Sequence, residues 1–100
     1  MGHFLLIYDF AADYSERRAA HRTEHLRLAW EAADRGELIL GGALVSPMDT
    51  GLLLFSGDMP ATAEAFARAD PYVTNGLVTA WRVREWITVA GPLAASPLRP

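Results

Sequence analysis

Arg22 and His25 are the two side chains whose types and spacing could perform acid–base chemistry together. They lie three positions apart in a segment that is predicted to be helical, and side chains at i and i+3 are neighbours on a helix. An imidazole can take or give a proton near neutral pH, and a guanidinium beside it can bind an anion. Small alanines around them would leave space at the edge of a groove. The alternative is that both are rim residues of an amphipathic helix and reach into water.

The segment SERRAAHRTEHLRLAWEAADR, residues 15–35, is predicted to form one amphipathic helix. Asp13 or Ser15 can cap its start, and Gly36 can end it. Apolar or small residues recur in steps of four and three, which places them on one stripe. The stripe expected to face the core consists of Ala19, Thr23, Leu26, Trp30 and Ala33.

Composition limits the possible functions. The chain has 100 residues, of which 51% are hydrophobic, so we expect one domain. The net charge is −3 and the nine basic residues, all Arg, are scattered, so no nucleic-acid partner is predicted. Without Lys or Cys the chain cannot use a Schiff base, a thiol nucleophile or a thiolate metal site. There is no long apolar run and no signal-peptide pattern, so we expect a soluble cytoplasmic protein without membrane contact.

The remaining elements are predicted from apolar runs and turn residues. Asp70-Pro71 is a preferred start for a helical turn, which Asn75-Gly76 would close. A second helix is expected at residues 62–69, and strands at residues 3–8, 38–44, 52–56 and 77–89. Residues 91–100, rich in Pro, Ala and Ser, are expected to form a loose tail after a domain of residues 1–90.

The order βαββαβ predicts an α+β, ferredoxin-like fold, a four-stranded antiparallel sheet with two helices on one face. Two helices cover only one face of such a sheet, whereas the strands carry apolar side chains on both faces. A bare apolar face would promote aggregation. We therefore expect a second copy to cover it, sheet against sheet, in a two-fold homodimer.

Several short motifs in this order resemble the YciI-like (YCII-related) proteins, small members of the dimeric α+β barrel superfamily. The matching motifs are LLIYD at Leu5–Asp9, R-x-x-H-L at Arg22–Leu26, GGAL at Gly41–Leu44, DPY at Asp70–Tyr72, GLV at Gly76–Val78 and R-x-W at Arg84–Trp86. The resemblance implies a ferredoxin-like subunit that dimerises through its sheet. It also implies a His and Asp pair in acid–base chemistry, here His25 and Asp70, with Arg22 as a nearby anion contact. Some relatives are linked to elimination or isomerisation of small ring compounds.

A paired His25 and Asp70 would form a general base, because a histidine held by a carboxylate keeps one tautomer. The predicted fold brings the end of the second helix alongside the first. The alternative is that Asp70 only caps a helical turn and never meets His25. If the pair forms, Arg22 could stabilise a developing oxyanion. The reaction would be proton abstraction beside a carbonyl or phenol, followed by elimination or double-bond migration, with no cofactor.

Other candidate residues carry weaker signals. Tyr72 could donate a hydrogen bond to a substrate oxyanion or simply fill space in the core, and Asp9 could line the same cleft or cap a loop. His21 and His25 have the i, i+4 spacing of helical metal ligands, but no third ligand is evident and no metal site is predicted. Leu28, apolar near the polar side of the helix, could contact another protein.

Two functions therefore remain open. The first is a cofactor-independent lyase or isomerase for a small anionic or hydroxylated molecule, with His25 and Asp70 catalytic and with Arg22, Tyr72 and Asp9 in the substrate site. The second is a non-catalytic dimeric module that binds a small ligand or regulates a partner through the same cleft.

Overall fold

The computed structural model describes residues 1–100 and has four antiparallel strands with all helices on one face of the sheet. The strands are β1 (Gly2–Phe10), β2 (Leu38–Ala43), β3 (Thr50–Gly57) and β4 (Val78–Trp86). The helices are α1 (Tyr14–Arg17), α2 (Arg22–Asp34), α3 (Ala61–Ala69) and α4 (Pro71–Thr74), with a 3₁₀ turn at Arg18–Ala20. The strand order β2-β3-β1-β4 is that of a ferredoxin-like fold, so the predicted α+β architecture is confirmed.

Alternation along the strands divides the sheet into a buried face and an open face. On the helix side, Leu6 and Tyr8 of β1 pack with Phe55 of β3 in the hydrophobic core. The open face is centred on four half-buried side chains of β1 and β3, namely Leu5, Ile7, Leu52 and Leu54. On β4 this face carries two basic side chains, since Arg82 and Arg84 lie opposite Ile7 and Leu5, and also the exposed Trp86, which lies opposite His3.

The single helix expected at residues 15–35 is interrupted. The backbone of His21 leaves the helical region, with φ −121° and ψ −1°, between the 3₁₀ turn and α2. The predicted end is confirmed, because Gly36 adopts a positive φ of 80°. The Gly36 N–H donates a hydrogen bond to the Ala33 carbonyl, and the Glu37 N–H donates one to the Ala32 carbonyl. This pair of bonds is the pattern of a Schellman motif. At the start Asp13 makes no capping hydrogen bond; its carboxylate lies 3.6 Å from Arg17 instead.

Of the α2 stripe that was expected to face the core, Ala33 does pack against it, but the two large side chains do not. Leu26 is 41% exposed and Trp30 is 67% exposed. Ala32 is buried instead, and Leu28 and Ala29 pack against the core. The helix carries two adjacent apolar stripes, so its own periodicity does not decide which stripe meets the sheet. Leu28, expected near water, therefore contributes to the core.

The segment from α3 to α4 follows the prediction. Ala63, Phe66 and Ala67 of α3 are buried. Asp70 has an extended backbone, with φ −70° and ψ 123°, and its side chain accepts a hydrogen bond from the N–H of Tyr72, as expected for a capping residue followed by proline.

The chain after β4 folds back on itself. β4 ends at Trp86 and not at residue 89 as expected. Residues 96 and 98 donate backbone hydrogen bonds to the carbonyls of Thr88 and Val89, so the segment expected to be loose has backbone partners. Thr88 also shares a 2.7 Å hydrogen bond with Nδ1 of His3. None of the helices has the length and apolar character needed to cross a membrane.

Candidate active site

The central feature of the site is the contact between His25 on α2 and Asp70 at the start of α4. Nδ1 of His25 lies 2.9 Å from both carboxylate oxygens of Asp70, although the residues are 45 positions apart in sequence. The Asp70 side chain is fully buried, whereas 15% of the His25 side chain remains exposed. The fold thus brings the two expected residues together, with the carboxylate inside and the imidazole at the surface of a cavity.

Asp70 accepts hydrogen bonds from three sides. The Tyr8 hydroxyl donates to Oδ2 at 2.7 Å, and the Tyr72 backbone N–H donates to Oδ1 at 3.0 Å. A carboxylate can only accept hydrogen bonds, so the neutral His25 ring must carry its hydrogen on Nδ1 to donate the third bond to Asp70. Nε2 then keeps its lone pair, which is the tautomer that a general base requires.

Aromatic rings hold the imidazole in place. The His25 ring stacks on Tyr72, with centroids 3.9 Å apart and an interplanar angle of 8°, and meets the Phe66 ring edge-on. Tyr72 in turn packs edge-on against Tyr14, which stacks on Phe10 at 3.7 Å. With one ring below and a carboxylate at Nδ1, His25 has little rotational freedom.

Both phenols beside the pair stay protonated over the physiological range. Burial raises the pKa of Tyr72 to about 12, the Tyr14 phenol acts in the same direction, and Arg22 acts against it. Burial, and next the Asp70 carboxylate, raise the pKa of Tyr8 well above its ordinary value. Tyr8 therefore remains a hydrogen-bond donor to Asp70.

A cavity of about 340 Å³ lies between α2 and β2, and His25 forms part of its wall. This volume is within the range of small-molecule sites, roughly 300–1,000 Å³. Most of its lining is apolar, including Leu26 and Trp30 of α2. Its charged side chains are Arg18 and Arg22, and it contains no Asp or Glu. The cavity therefore favours a small anionic ligand with an apolar body.

The other expected site residues divide into two groups. Arg22 and Tyr72 line the cavity with His25. Asp9 does not: it lies on the open face, where its carboxylate is 3.4 Å from the Arg82 guanidinium. The expectation that Asp9 lines the cleft is wrong, because strand alternation turns Tyr8 toward the helices and its neighbour away from them.

Two residues of the site were not expected from the sequence. Tyr8 lies two positions after Leu6 in β1, so both side chains face the core. A buried tyrosine hydroxyl usually has a hydrogen-bond partner, and this was the signal for a buried acceptor near Tyr8. Arg18 lies four positions before Arg22, on the other side of the interruption at His21, and lines the same cavity. No three His, Cys, Asp or Glu side chains lie close enough to hold a metal ion, and His21 has no additional ligands near it.

Sequence and structure comparisons agree with this architecture. The sequence model of the YCII-related domain family matches residues 1–87. The fold is similar to that of TftG, the 5-chloro-2-hydroxyhydroquinone dehydrochlorinase from Burkholderia phenoliruptrix AC1100, in its complex with 2,5-dihydroxybenzoquinone. The TM-score is 0.72 and the sequence identity is 18%, and the match covers 86% of this chain and 94% of that chain. A NIPSNAP family protein from Agrobacterium tumefaciens is similar with TM-score 0.58 and 15% identity, over 91% and 96% of the two chains. No curated protein matches this sequence.

Proposed function

This chain belongs to the YCII-related family, and from that premise we propose that it is a cofactor-independent acid–base enzyme of the lyase or isomerase type. Its substrate is a small anionic or hydroxylated molecule. The observation that carries the proposal is the 2.9 Å contact between Nδ1 of His25 and the fully buried Asp70 carboxylate in a cavity wall. A fixed, correctly protonated imidazole beside a ligand-sized space is the minimum that proton abstraction requires.

In this proposal each side chain has a separate role. Nε2 of His25 takes a proton beside a carbonyl or phenol, and Asp70 orients the ring and offsets the charge of the imidazolium that forms. Arg22, which has no ion-pair partner, stabilises the oxyanion that develops on the substrate. The proton is then returned to another carbon in an isomerisation, or a leaving group departs in an elimination.

The similarity to TftG supports the reaction class. A dehydrochlorinase removes hydrogen chloride, and the name of that protein places the reaction on a hydroxylated ring. Such an elimination needs a base and a group that stabilises negative charge, and His25 and Arg22 are suited to these two tasks. The proposal takes from TftG the type of reaction and not the substrate.

Hydrogen–deuterium exchange tests the proposal without knowledge of the natural substrate. Hydroxylated and carboxylated ring compounds are incubated with the protein in deuterium oxide, and loss of carbon-bound protons is followed by proton NMR. His25→Ala should slow the exchange by about a hundredfold or more. The matched control is His21→Ala, on the same segment, because His21 makes no side-chain capping bond. Equal exchange rates in the two variants would refute a base role for His25.

The tautomer of His25 gives a second test that needs no substrate. Nitrogen-15 spectra of the neutral ring should show hydrogen on Nδ1 in the native protein. In Asp70→Asn this preference should disappear, because the amide offers a donor as well as an acceptor. An unchanged Nδ1–H population would mean that Asp70 does not set the tautomer.

A binding module without turnover is the second candidate. It is favoured by the lining of the cavity, in which 13 of 19 residues are hydrophobic, a composition that suits retention of a ligand. Binding of a ring compound without any exchange in the deuterium experiment would favour this candidate over the enzyme.

We further propose that the protein is a homodimer in which the open faces of two sheets pack together. The four apolar side chains at the centre of that face lie on the two middle strands. The C-terminal segment covers one end of the face, where residues 87–94 lie near His3 and Leu54. Burial of the remaining apolar area contributes about 25 cal/mol per Å² to association.

A further inference from the structure

The two arginines of the cavity differ from most others in the chain by having no acidic partner. Four arginines are paired with carboxylates, namely Arg17, Arg27, Arg35 and Arg82. Arg18 instead contacts the Met48 sulfur at 3.4 Å and lies over the Tyr14 ring. Arg22 has neither an ion pair nor a side-chain hydrogen bond in the protein. Two guanidinium groups thus line one cavity without a counter-charge.

These two groups line the same cavity although an interruption of the helix separates them. Arg18 begins the 3₁₀ turn and Arg22 begins α2, on either side of the non-helical His21. Arg22 lies three positions before His25 in α2, so the two side chains are neighbours on the helix, and both line the cavity. The positive charge is therefore next to the proposed base.

The opposite part of the cavity offers apolar surface to a ring. Trp30 and Leu26 line it although they are 67% and 41% exposed, and Leu26 lies between Arg22 and Trp30 along α2. Large apolar side chains with this exposure gain most when a ligand covers them. The indole of Trp30 can also stack on an aromatic ligand.

We propose that Arg18 and Arg22 together bind the carboxylate of a ring-containing carboxylic acid, whose apolar ring lies against Leu26 and Trp30. This inference rests on the proposed function and names its substrate class. A carboxylate presents two acceptor oxygens that match the donor fork of a guanidinium, and it is charged at neutral pH, whereas a simple phenol is not. Two positive groups without an acid in the lining therefore select carboxylates over neutral hydroxylated rings.

Isothermal titration calorimetry with matched acids and amides tests the proposal. The probes are benzoate, phenylacetate and cyclohexanecarboxylate, each compared with its neutral amide. At least one acid should bind about tenfold more tightly than its amide, and added salt should weaken only the acid. If no acid binds more tightly than its amide, the proposal is overturned.

Variants assign the selectivity to the two arginines. Arg18→Ala and Arg22→Ala should each weaken binding of the preferred acid by about tenfold and leave its amide unchanged. Arg27→Ala is the control, because it removes the same charge from α2 where two glutamates already neutralise it. Circular dichroism establishes that each variant is folded, and Arg22→Gln, which keeps much of the side-chain volume, replaces any variant that is not. Acid selectivity that survives both cavity substitutions would overturn the proposal.

The binding and exchange experiments can distinguish failure of the carboxylate site from failure of the proposed enzyme activity. Acid selectivity that depends on the arginines, in a protein that exchanges no protons of any probe, supports the carboxylate site and contradicts the enzyme. Exchange of a carboxylated probe that depends on His25 and Arg22 but not on Arg18 supports the enzyme and overturns the two-arginine carboxylate site.

Discussion

Tyr8 donates its hydroxyl hydrogen to Oδ2 of Asp70 at 2.7 Å, across 62 positions of sequence. Both side chains are almost fully buried. The bond joins the central strand β1 to the residue that caps α4, so the sheet itself helps to position the carboxylate that holds His25. The site therefore depends on a contact between sheet and helices as well as on α2.

Tyr8→Phe should destabilise the protein while keeping its fold. The substitution removes the hydroxyl and leaves Oδ2 of a buried carboxylate with one donor fewer, which should lower the free energy of unfolding by about 1.5–3 kcal/mol. Urea unfolding measures the change. Tyr14→Phe is the control, because the Tyr14 hydroxyl makes no hydrogen bond with Asp70. Equal stability of the two variants would contradict a supporting role for the Tyr8 bond.

Stability should fall at alkaline pH because two phenols are buried. The pKa of Tyr72 is raised from 10.0 to about 12 in the folded state, and that of Tyr8 is raised further. Between these values the unfolded chain has lost the Tyr72 proton and the folded chain has kept it, so the stabilisation is complete below pH 10 and is lost as the pH rises towards 12. The loss for Tyr72 should be roughly 2 kcal/mol. Urea unfolding at rising pH should show a smaller decrease in Tyr72→Phe than in the native chain, and an equal decrease would contradict the assignment.

Gly51→Ala should be destabilising, whereas Gly42→Ala should be nearly neutral. A Cβ at Gly51 would lie 2.8 Å from the Phe10 ring and 3.3 Å from Cβ of Tyr8. Phe10 cannot move freely, because it stacks on Tyr14 at 3.7 Å. The expected cost is about 1–3 kcal/mol. At Gly42 a Cβ would have no atom within 4 Å, so this residue is the matched control in the same cavity lining. Thermal unfolding of the two variants compares them directly.

Leu52→Glu should convert the proposed homodimer into monomers. Leu52 lies on the open face opposite Ile7, and a charge there could not be buried against a second sheet without a partner. Sedimentation velocity at micromolar concentration should give a dimer for the native chain and a monomer for the variant. Ala65→Glu adds the same charge to an exposed position of α3 and should leave the dimer intact. A monomeric native protein would refute the proposed interface.

The sequence by itself determined the order of the elements and many local features. Short apolar runs bounded by turn residues identified the strands, Asp70-Pro71 identified the start of α4, and Gly36 identified the end of α2. These features depend on neighbours along the chain, such as a proline that constrains the preceding residue or a glycine that accepts a positive φ. The proximity of His25 and Asp70 was expected from the order of elements and the family resemblance.

Only the tertiary structure decided which face of α2 meets the sheet and which side chains complete the site. Two adjacent apolar stripes on α2 are equivalent in periodicity, and the packing of the helices on the sheet selected the one containing Ala32 over the one containing Leu26 and Trp30. In the same way, the orientation of β1 brings the Tyr8 hydroxyl into hydrogen-bond contact with Asp70 and turns the Asp9 side chain to the open face. Periodicity reports that a segment has two faces, but burial and hydrogen bonding depend on what lies opposite each face. That information comes from residues distant in the sequence.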